Sequence, residues 1–274
     1  MSNFPLPYNI NILLKGEINL KRYYIITKQT ILVSVAVILA LMFTLVVFST
    51  KETSPTSSNS KKLPIYCTDR DDNKISISFD AAWGAEDTST LIDILAKYNV
   101  KATFFVVGEW VDKYPNEVKA LADAGHEIQN HSNTHPYMTS LSRDKMMEEI
   151  NSCNQKIEKI TGKKPTLIRV PYGDYNNTVI ETVKSMNMYT IQWDVDSLDW
   201  KNLSAADITK RVTEKTKSGS ILLFHNAAKN TPEALPTILE TLQGKGFEFV
   251  PISQLIYKDN YEIKVDGTQC KIEN

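Results

Sequence analysis

Apolar residues follow two alternating patterns along most of this chain. From about Leu63 onward, short apolar or β-branched runs alternate with longer stretches in which apolar residues recur every three or four positions. The first pattern is typical of buried strands and the second of amphipathic helices. The predicted strands are Lys74–Phe79, Ala102–Val106, Glu127–Gln129, Leu167–Arg169, Tyr189–Trp193, Ser220–Phe224 and Phe247–Val250. The predicted helices are Ser89–Tyr98, Pro115–Ala124, Arg143–Ile160, Asn177–Met186, Ala205–Lys217 and Glu233–Gln243.

This alternation of strands and helices predicts a mainly parallel sheet that is covered by helices. Capping residues support the helix boundaries. Ser142 and Ser204 occupy N-cap positions, and Gly125, Gly162 and Gly244 follow helices as left-handed C-caps do. A β/α barrel, complete or incomplete, fits the pattern better than two domains, and a doubly wound open sheet is the alternative. Both architectures place ligand chemistry at the carboxyl ends of the strands.

The N-terminal part of the chain has a different character. The run Ile31–Phe48 holds 18 residues without charge, glycine or proline, which is about the length of a membrane-spanning helix. A cleaved signal peptide is disfavoured, because 30 residues precede the run and no A-x-A site follows it. A buried core helix is also disfavoured, because the run has almost no polar face. We therefore expect a transmembrane helix over residues 30–49.

The sequence divides into five segments on these grounds. They are a cytoplasmic N-terminal segment (1–29), the transmembrane helix (30–49), a flexible Ser/Thr-rich linker (50–65), a folded domain (66–260) and a C-terminal tail (261–274). Four basic residues precede the span within the chain and three follow it closely: Lys15, Lys21, Arg22 and Lys28, then Lys51, Lys61 and Lys62. This slight excess favours an N-terminus inside the cell. We expect a single-pass protein of the cell membrane, with the folded domain outside the cytoplasm.

Composition excludes some classes of function. The net charge of −1 gives no sign of a nucleic-acid partner or of a polybasic membrane surface. The three cysteines form no disulfide framework. Cys67 and Cys270 could pair if they flank the domain, and free thiols are the alternative.

Polar residues stand at or just after the ends of the predicted strands. His131 and His135 are four residues apart and could face one another on a helical turn, a spacing that suits a transition metal. Two solvated loop histidines are the other interpretation. Asp80 ends a strand and is a candidate general base, although an aspartate there could also serve a turn or a helix cap. Arg169 could hold Asp80 ionised, or it could form a plain structural salt bridge.

A second group of candidates follows later strands. His225 could be a buried core histidine, but a nearby Asp196 or Asp199 would raise its pKa and make it a competent acid. Aromatic residues are usually part of the core. Because Tyr172 and Trp200 adjoin these polar motifs, they are candidates for stacking on sugar rings.

With these residues in view, the chain resembles the NodB-homology polysaccharide deacetylases, carbohydrate esterase family 4, over about residues 74–256. It is most similar to the sporulation-type PdaB branch, which also carries an N-terminal membrane segment. The motifs are Ser78-Phe79-Asp80-Ala81, His131-Ser132-Asn133-Thr134-His135, Arg169-Val170-Pro171-Tyr172-Gly173, Asp196-Ser197-Leu198-Asp199-Trp200 and Leu223-Phe224-His225. The resemblance implies a distorted (β/α) barrel of about seven parallel strands.

The resemblance also implies a hydrolase that removes N-acetyl groups from amino sugars of peptidoglycan or a chitin-like glycan. Asp80 would be the base that activates a metal-bound water, oriented by Arg169, and His131 and His135 would hold the metal. The implied metal is a divalent ion, with zinc expected and cobalt or another transition metal as alternatives. The remaining implied roles are oxyanion binding by the Tyr172 amide, an acetyl groove lined by Trp200 and Leu223, and protonation of the amine by His225, tuned by Asp199 or, second, by Asp196.

One position departs from the family pattern. Ala81 stands where the family has a metal-ligating aspartate. Water could fill the position, a carboxylate of Asp80, Glu86 or Asp87 could replace the ligand, or metal and activity could be lost. The sequence therefore leaves two hypotheses, a metal-dependent deacetylase with weak metal binding and a catalytically weakened glycan-binding or assembly module.

Overall fold

The computed structural model describes residues 61–272, and a sheet of parallel strands forms their centre. The strands are β1 (Cys67–Thr68), β2 (Lys74–Ala81), β3 (Thr103–Val106), β4 (Glu127–Asn130), β5 (Leu167–Ile168), β6 (Tyr189–Thr190), β7 (Val195–Asp196), β8 (Ile221–His225), β9 (Glu248–Phe249), β10 (Tyr261–Ile263) and β11 (Thr268–Lys271). The helices are α1 (Thr88–Lys97), α2 (Gly108–Lys113), α3 (Pro115–Asp123), α4 (Arg143–Thr161), α5 (Asn177–Ser185), α6 (Ala205–Lys215), α7 (Thr231–Gly244) and α8 (Ile252–Leu255).

The order of the strands is that of an open barrel. The main path runs β6-β5-β4-β3-β2-β8-β7, all neighbours are parallel, and β9 adds to the start of β2. The strands from β2 to β8 follow one another around the barrel in the order of the sequence. Within residues 61–272, the two end strands β6 and β7 do not pair, so the barrel stays open between them. The seven parallel strands confirm the predicted α/β class and the incomplete form of the barrel. The doubly wound alternative was wrong, because the strand order never reverses direction.

Strand β2 shows how the alternating pattern builds two layers. Its apolar side chains, among them Phe79 and Ala81, pack outward into the main apolar cluster beneath the helices. Phe79 stacks on Phe104 of β3 with ring centroids 4.9 Å apart. The intervening Ser78 and Asp80 form polar contacts with Arg169 instead. Because successive strand residues point to opposite faces, one strand supplies both the core and the site.

The ends of the domain are more ordered than the segment boundaries drawn from sequence suggest. Ile65, placed in the linker, is 2% exposed and donates its N–H to the Thr190 carbonyl. The predicted tail begins with β10 and β11, which form a small sheet with β1. Cys67 and Cys270 are both buried there as free thiols.

The membrane segment falls outside what can be described. The predicted cytoplasmic segment, transmembrane helix and most of the linker lie before residue 61. Within residues 61–272, none of the helices is both long and apolar enough to cross a bilayer.

Helix caps agree with the sequence at most positions. The hydroxyls of Ser142 and Ser204 accept backbone N–H groups at the start of α4 and α6. Gly125 and Gly162 adopt left-handed φ angles of 83° and 68° after α3 and α4. The prediction for Gly244 was wrong. It lies inside α7, and Gly246 takes the left-handed conformation.

Candidate active site

The candidate residues meet at the carboxyl ends of the strands. Asp80 near the end of β2 and His225 at the end of β8 are register partners on adjacent strands. His131 follows β4, and Arg169 follows β5. A cavity of about 600 Å³ opens between them. Its lining includes ten of the candidate residues or their neighbours, namely Asp80, Trp83, His131, His135, Tyr172, Asp196, Asp199, Trp200, Leu223 and His225.

Asp80 and Arg169 form a buried ion pair. Arg169 is fully buried, and its Nη1 donates to Asp80 Oδ1 at 2.7 Å. Its Nη2 donates to Ser78 Oγ at 2.8 Å and to the Gln192 carbonyl at 3.2 Å. Burial by itself raises the pKa of Asp80, but the charge of Arg169, the largest opposing effect, helps to lower the pKa below its usual value. Asp80 is therefore an ionised carboxylate, and its Oδ2 accepts no hydrogen bond from a described residue.

The two histidines converge without a helix. His131 and His135 lie in the loop after β4, where Ser132 and His135 have left-handed φ angles of 66° and 61°. The prediction of a helical turn was therefore wrong. The loop nevertheless brings the two Nε2 atoms to 3.3 Å. Burial lowers the pKa of His131, and burial followed by the proximity of His131 lowers the pKa of His135 to about 4. Both imidazoles are neutral at physiological pH, as metal ligands must be.

Hydrogen bonding prepares only one of these imidazoles as a ligand. His131 Nδ1 lies 2.7 Å from the Arg169 carbonyl. Because a carbonyl only accepts, Nδ1 carries the proton and Nε2 presents its lone pair to the cavity. His135 Nδ1 is buried and has no partner among the described residues. The second imidazole therefore lacks the support that normally fixes a metal-binding histidine.

The donor set fits a divalent transition metal held by two imidazoles. No group of three or more His, Cys, Asp or Glu side chains that could hold a metal occurs in residues 61–272. Ala81 is 1% exposed and packs in the main apolar cluster. The nearest carboxylate is Asp80, whose Oδ2 is 3.7 Å from His131 Nε2. Glu86 and Asp87 accept backbone N–H groups of Ala85 and Ala227 instead.

The neighbouring strand β8 carries the candidate acid at its end. His225 Nδ1 lies 2.8 Å from Asp199 Oδ1. Asp199 Oδ2 accepts the His225 N–H and the hydroxyl of the fully buried Thr231. Burial by itself lowers the pKa of His225, but the hydrogen bond to Asp199 and the charge of Asp80 raise it above its usual value. Asp196 instead accepts the Leu198 N–H and makes no hydrogen bond to His225.

The loop after β5 places Tyr172 at the mouth of the cavity. Tyr172 has a left-handed φ of 59°, which is unusual for a residue other than glycine. Its side chain is 58% exposed, and its backbone N–H has no hydrogen-bond partner among the described residues. A free backbone N–H beside a reacting carbonyl suits an oxyanion. Trp200, 56% exposed, and Leu223, buried, line the same cavity.

Several residues of the site were missed from the sequence. Ser78 holds the Arg169 guanidinium, and Thr231 holds Asp199. Asn226 donates to the carbonyls of Trp83 and Gly84 and accepts the Ala82 N–H, which fixes the loop after β2. A polar residue directly after a strand-end motif residue was the available signal for Asn226. The signal for Ser78 was its place in the first motif, two residues before Asp80, and no comparable signal marks Thr231.

Comparison with known proteins identifies the family. A family model described as polysaccharide deacetylase matches residues 68–191. A peptidoglycan-N-acetylglucosamine deacetylase of Bacillus cereus is 33% identical over 186 residues, which are 66% of this chain and 68% of that protein. The chain belongs to the polysaccharide deacetylase family. The match to the family model ends before β7 and β8, so the position of Asp199 and His225 rests on the geometry above. The narrower resemblance to the PdaB branch stays a prediction.

Further similar proteins include an uncharacterized protein and a pseudoenzyme. The uncharacterized protein YlxY of Bacillus subtilis is 33% identical over 193 residues. These residues are 70% of this chain and 60% of that relative. The crystal structure of a carbohydrate esterase family 4 pseudoenzyme from Bacillus anthracis superposes with a TM-score of 0.68 at 31% identity, covering 77% of this chain and 73% of that one. A mutant of that pseudoenzyme with restored enzymatic activity matches with the same TM-score at 35% identity, covering 72% and 71%.

Replacing Arg169 with an uncharged residue should destabilise the fold. In Arg169→Met, Asp80 remains buried without a counter-charge, so the free energy of unfolding should fall by about 3–5 kcal/mol. The double variant Arg169→Met/Asp80→Asn should lose less than the single variant, because no uncompensated charge remains. Urea unfolding measures both. A double variant that is less stable than Arg169→Met would contradict this account of the ion pair.

Restoring the carboxylate should raise metal affinity. The side chain of Ala81 packs in the apolar cluster, which is unfavourable for a carboxylate, so in Ala81→Asp the carboxylate should turn toward the cavity beside His131 and His135. With this third ligand we expect zinc to bind about a hundredfold more tightly. Competition with a chromophoric chelator measures the dissociation constant. Ala81→Asn is the matched control, because its side chain has nearly the same size and no charge. Equal affinities for the Asp and Asn variants would show that position 81 does not reach the metal.

Proposed function

We propose that this protein is a hydrolase that removes N-acetyl groups from the amino sugars of a cell-wall or spore-wall glycan, either peptidoglycan or a chitin-like polymer. The observation that carries the proposal is that a carboxylate with a lowered pKa, Asp80, and an imidazole with a raised pKa, His225, are register partners at the ends of adjacent strands. Amide hydrolysis needs such a base and such an acid in one cavity at the same pH.

Each residue of the candidate active site has its own role in the proposed reaction. Oδ1 of Asp80 is held by Arg169, which leaves Oδ2 to take a proton from the attacking water. The Tyr172 N–H would stabilise the oxyanion of the tetrahedral intermediate. His225 would give its Nε2 proton to the departing amine, while Asp199 holds Nδ1 and keeps the ring oriented. Trp200 and Leu223 would shape the pocket for the acetyl methyl group.

In the proposed enzyme, the imidazoles of His131 and His135 would hold a divalent transition metal. Zinc is the expected ion, and cobalt is an alternative. Such an ion supplies Lewis-acid polarisation of the acetyl carbonyl and lowers the pKa of water. Two protein ligands in place of three imply weak binding, so activity should depend on added metal.

A second function is favoured by one observation. Ala81 removes a ligand that the family uses, and a pseudoenzyme is among the structures that superpose on this chain. The alternative is a glycan-binding or assembly module that keeps the groove and has lost turnover. Asp80, Arg169 and His225 favour the deacetylase, because a module that only binds glycan would not need a buried ion pair beside a histidine whose pKa is raised.

The cellular setting follows from the sequence of the N-terminus. We propose that the chain is anchored in the cell membrane by residues 30–49 and acts on glycan outside the cytoplasm. A sporulation role, which the resemblance to the PdaB branch implies, is part of the same proposal.

Acetate release is the decisive assay for the first function. The purified ectodomain, beginning near residue 61, is incubated with N-acetylated peptidoglycan or chitooligosaccharide, with and without added zinc or cobalt. We expect acetate release that requires added metal and is lost in Asp80→Asn. Glycan binding with no acetate release under any metal would overturn the deacetylase proposal and support the binding module.

The pH profile should report the Asp199–His225 pair. The acid must be protonated, so activity falls as pH rises through the pKa of His225, which Asp199 raises. Asp199→Asn removes the charge, so the pKa of His225 falls and the alkaline limb of activity moves to lower pH. NMR titration of His225 checks the same shift without turnover. Asp196→Asn is the control, because Asp196 does not touch His225. An equal shift in both variants would contradict the assignment.

A further inference from the structure

Exposed aromatic side chains are concentrated at one place on this domain. Among the described residues, the large hydrophobic side chains that are well exposed include four aromatics, Trp83 (71%), Tyr172 (58%), Tyr137 (57%) and Trp200 (56%). Three of them line the candidate catalytic cavity, and the fourth, Tyr137, stacks on Tyr172. Soluble proteins rarely expose large apolar side chains together unless the patch binds something.

Four rings form a continuous row across one side of the cavity mouth, called here the aromatic row: Trp83, His135, Tyr172 and Tyr137. Their centroids are separated by 6.1 Å, 4.6 Å and 4.2 Å in that order. The last two rings are nearly parallel, at 17°. Tyr172 therefore covers one face of Tyr137, and the exposure of Tyr137 comes from its outer face and rim. The row extends beyond the residues that line the cavity.

Hydrogen bonds hold the outer end of the row in place. Asp174 accepts the Thr139 backbone N–H at 2.8 Å, and its two oxygens accept the Thr139 hydroxyl at 2.8 and 2.9 Å. Thr139 follows Tyr137 by two residues, and Asp174 follows Tyr172 by two residues. One carboxylate thus ties together the two loops that carry the stacked rings. A fixed ring binds a partner with little loss of conformational entropy.

We propose that the outer face of Tyr137 is an accessory sugar-stacking site, which binds a neighbouring ring of the glycan while the acetylated sugar occupies the cavity. The inference rests on the proposed function, because it takes the occupant to be the same glycan chain. A pyranose ring presents C–H groups on its faces and hydroxyl groups at its edge, so it can pack on a tyrosine face while its hydroxyls stay in water. The Tyr137 ring stacks on Tyr172, which lines the cavity, and the ring itself carries no charge, which suits the face of a neutral sugar. The preferred substrate is therefore an oligomer.

Binding as a function of oligomer length tests this site. Calorimetric titration of the ectodomain with N-acetylglucosamine monomer and hexamer gives the dissociation constants, for the unmodified protein, Tyr137→Ala and Tyr137→Phe. We expect Tyr137→Ala to weaken hexamer binding about tenfold and to leave monomer binding unchanged. Tyr137→Phe, the matched control, keeps the ring and should bind hexamer like the unmodified protein. Thr139→Val, which removes the hydroxyl and keeps the backbone N–H, should show an intermediate loss.

The outcomes separate this inference from the proposed function. An unchanged hexamer affinity in Tyr137→Ala, or an equal loss for monomer and hexamer, overturns the accessory site even if acetate is released. A loss confined to hexamer supports the site even if no acetate is released, and then only the deacetylase proposal fails. An unmodified protein that binds neither the monomer nor the hexamer also overturns the accessory site.

Discussion

The buried contact between Arg169 and Asp80 is the interaction on which the rest of the site depends. The two residues belong to strands that are not neighbours, since β3 and β4 lie between β2 and β5. Arg169 therefore reaches across the interior of the open barrel, with its guanidinium 4.3 Å from the Phe105 ring centroid. Burying two charges is unfavourable unless their hydrogen bonds are made. Ser78 and the Gln192 carbonyl supply two of these hydrogen bonds.

Arg169 contacts both the candidate base, Asp80, and one candidate metal ligand, His131. Its guanidinium keeps Asp80 ionised and leaves one carboxylate oxygen free, and its backbone carbonyl fixes the tautomer of His131. His225, at the end of β8, is held by Asp199, which also accepts the Thr231 hydroxyl. The side-chain hydrogen bonds of Asp80 and His225 do not involve residue 81, so alanine at this position leaves both side chains in place. We propose that the alanine affects the metal position alone.

Much of this arrangement could be predicted from the sequence. Alternation of strand and helix patterns located six of the seven strands on the main path, β2 to β6 and β8, and also β9, and strand-end polar residues do meet in one cavity. The pattern could not predict the conformation of the His131 loop, because a spacing of four residues fits a helical turn and a loop with left-handed Ser132 and His135 equally well. It also missed β1 and β7, which have two residues each, and β10 and β11, which lie in a polar segment. Ser78 stands in the first motif, but its contact with Arg169 lies far away in sequence. Thr231 and Tyr137 also act through partners distant in sequence, and no local pattern marks them.

We propose that the carboxylate absent at position 81 affects how tightly metal is held and that the chemistry of Asp80 and His225 does not depend on it. The most direct test is the rate of acetate release as a function of free zinc concentration, for the unmodified protein and for Ala81→Asp. We expect similar maximal rates and a half-saturating zinc concentration that is much higher for the unmodified protein. An Ala81→Asp variant that releases acetate, beside an unmodified protein that releases none even at saturating zinc, would contradict this proposal.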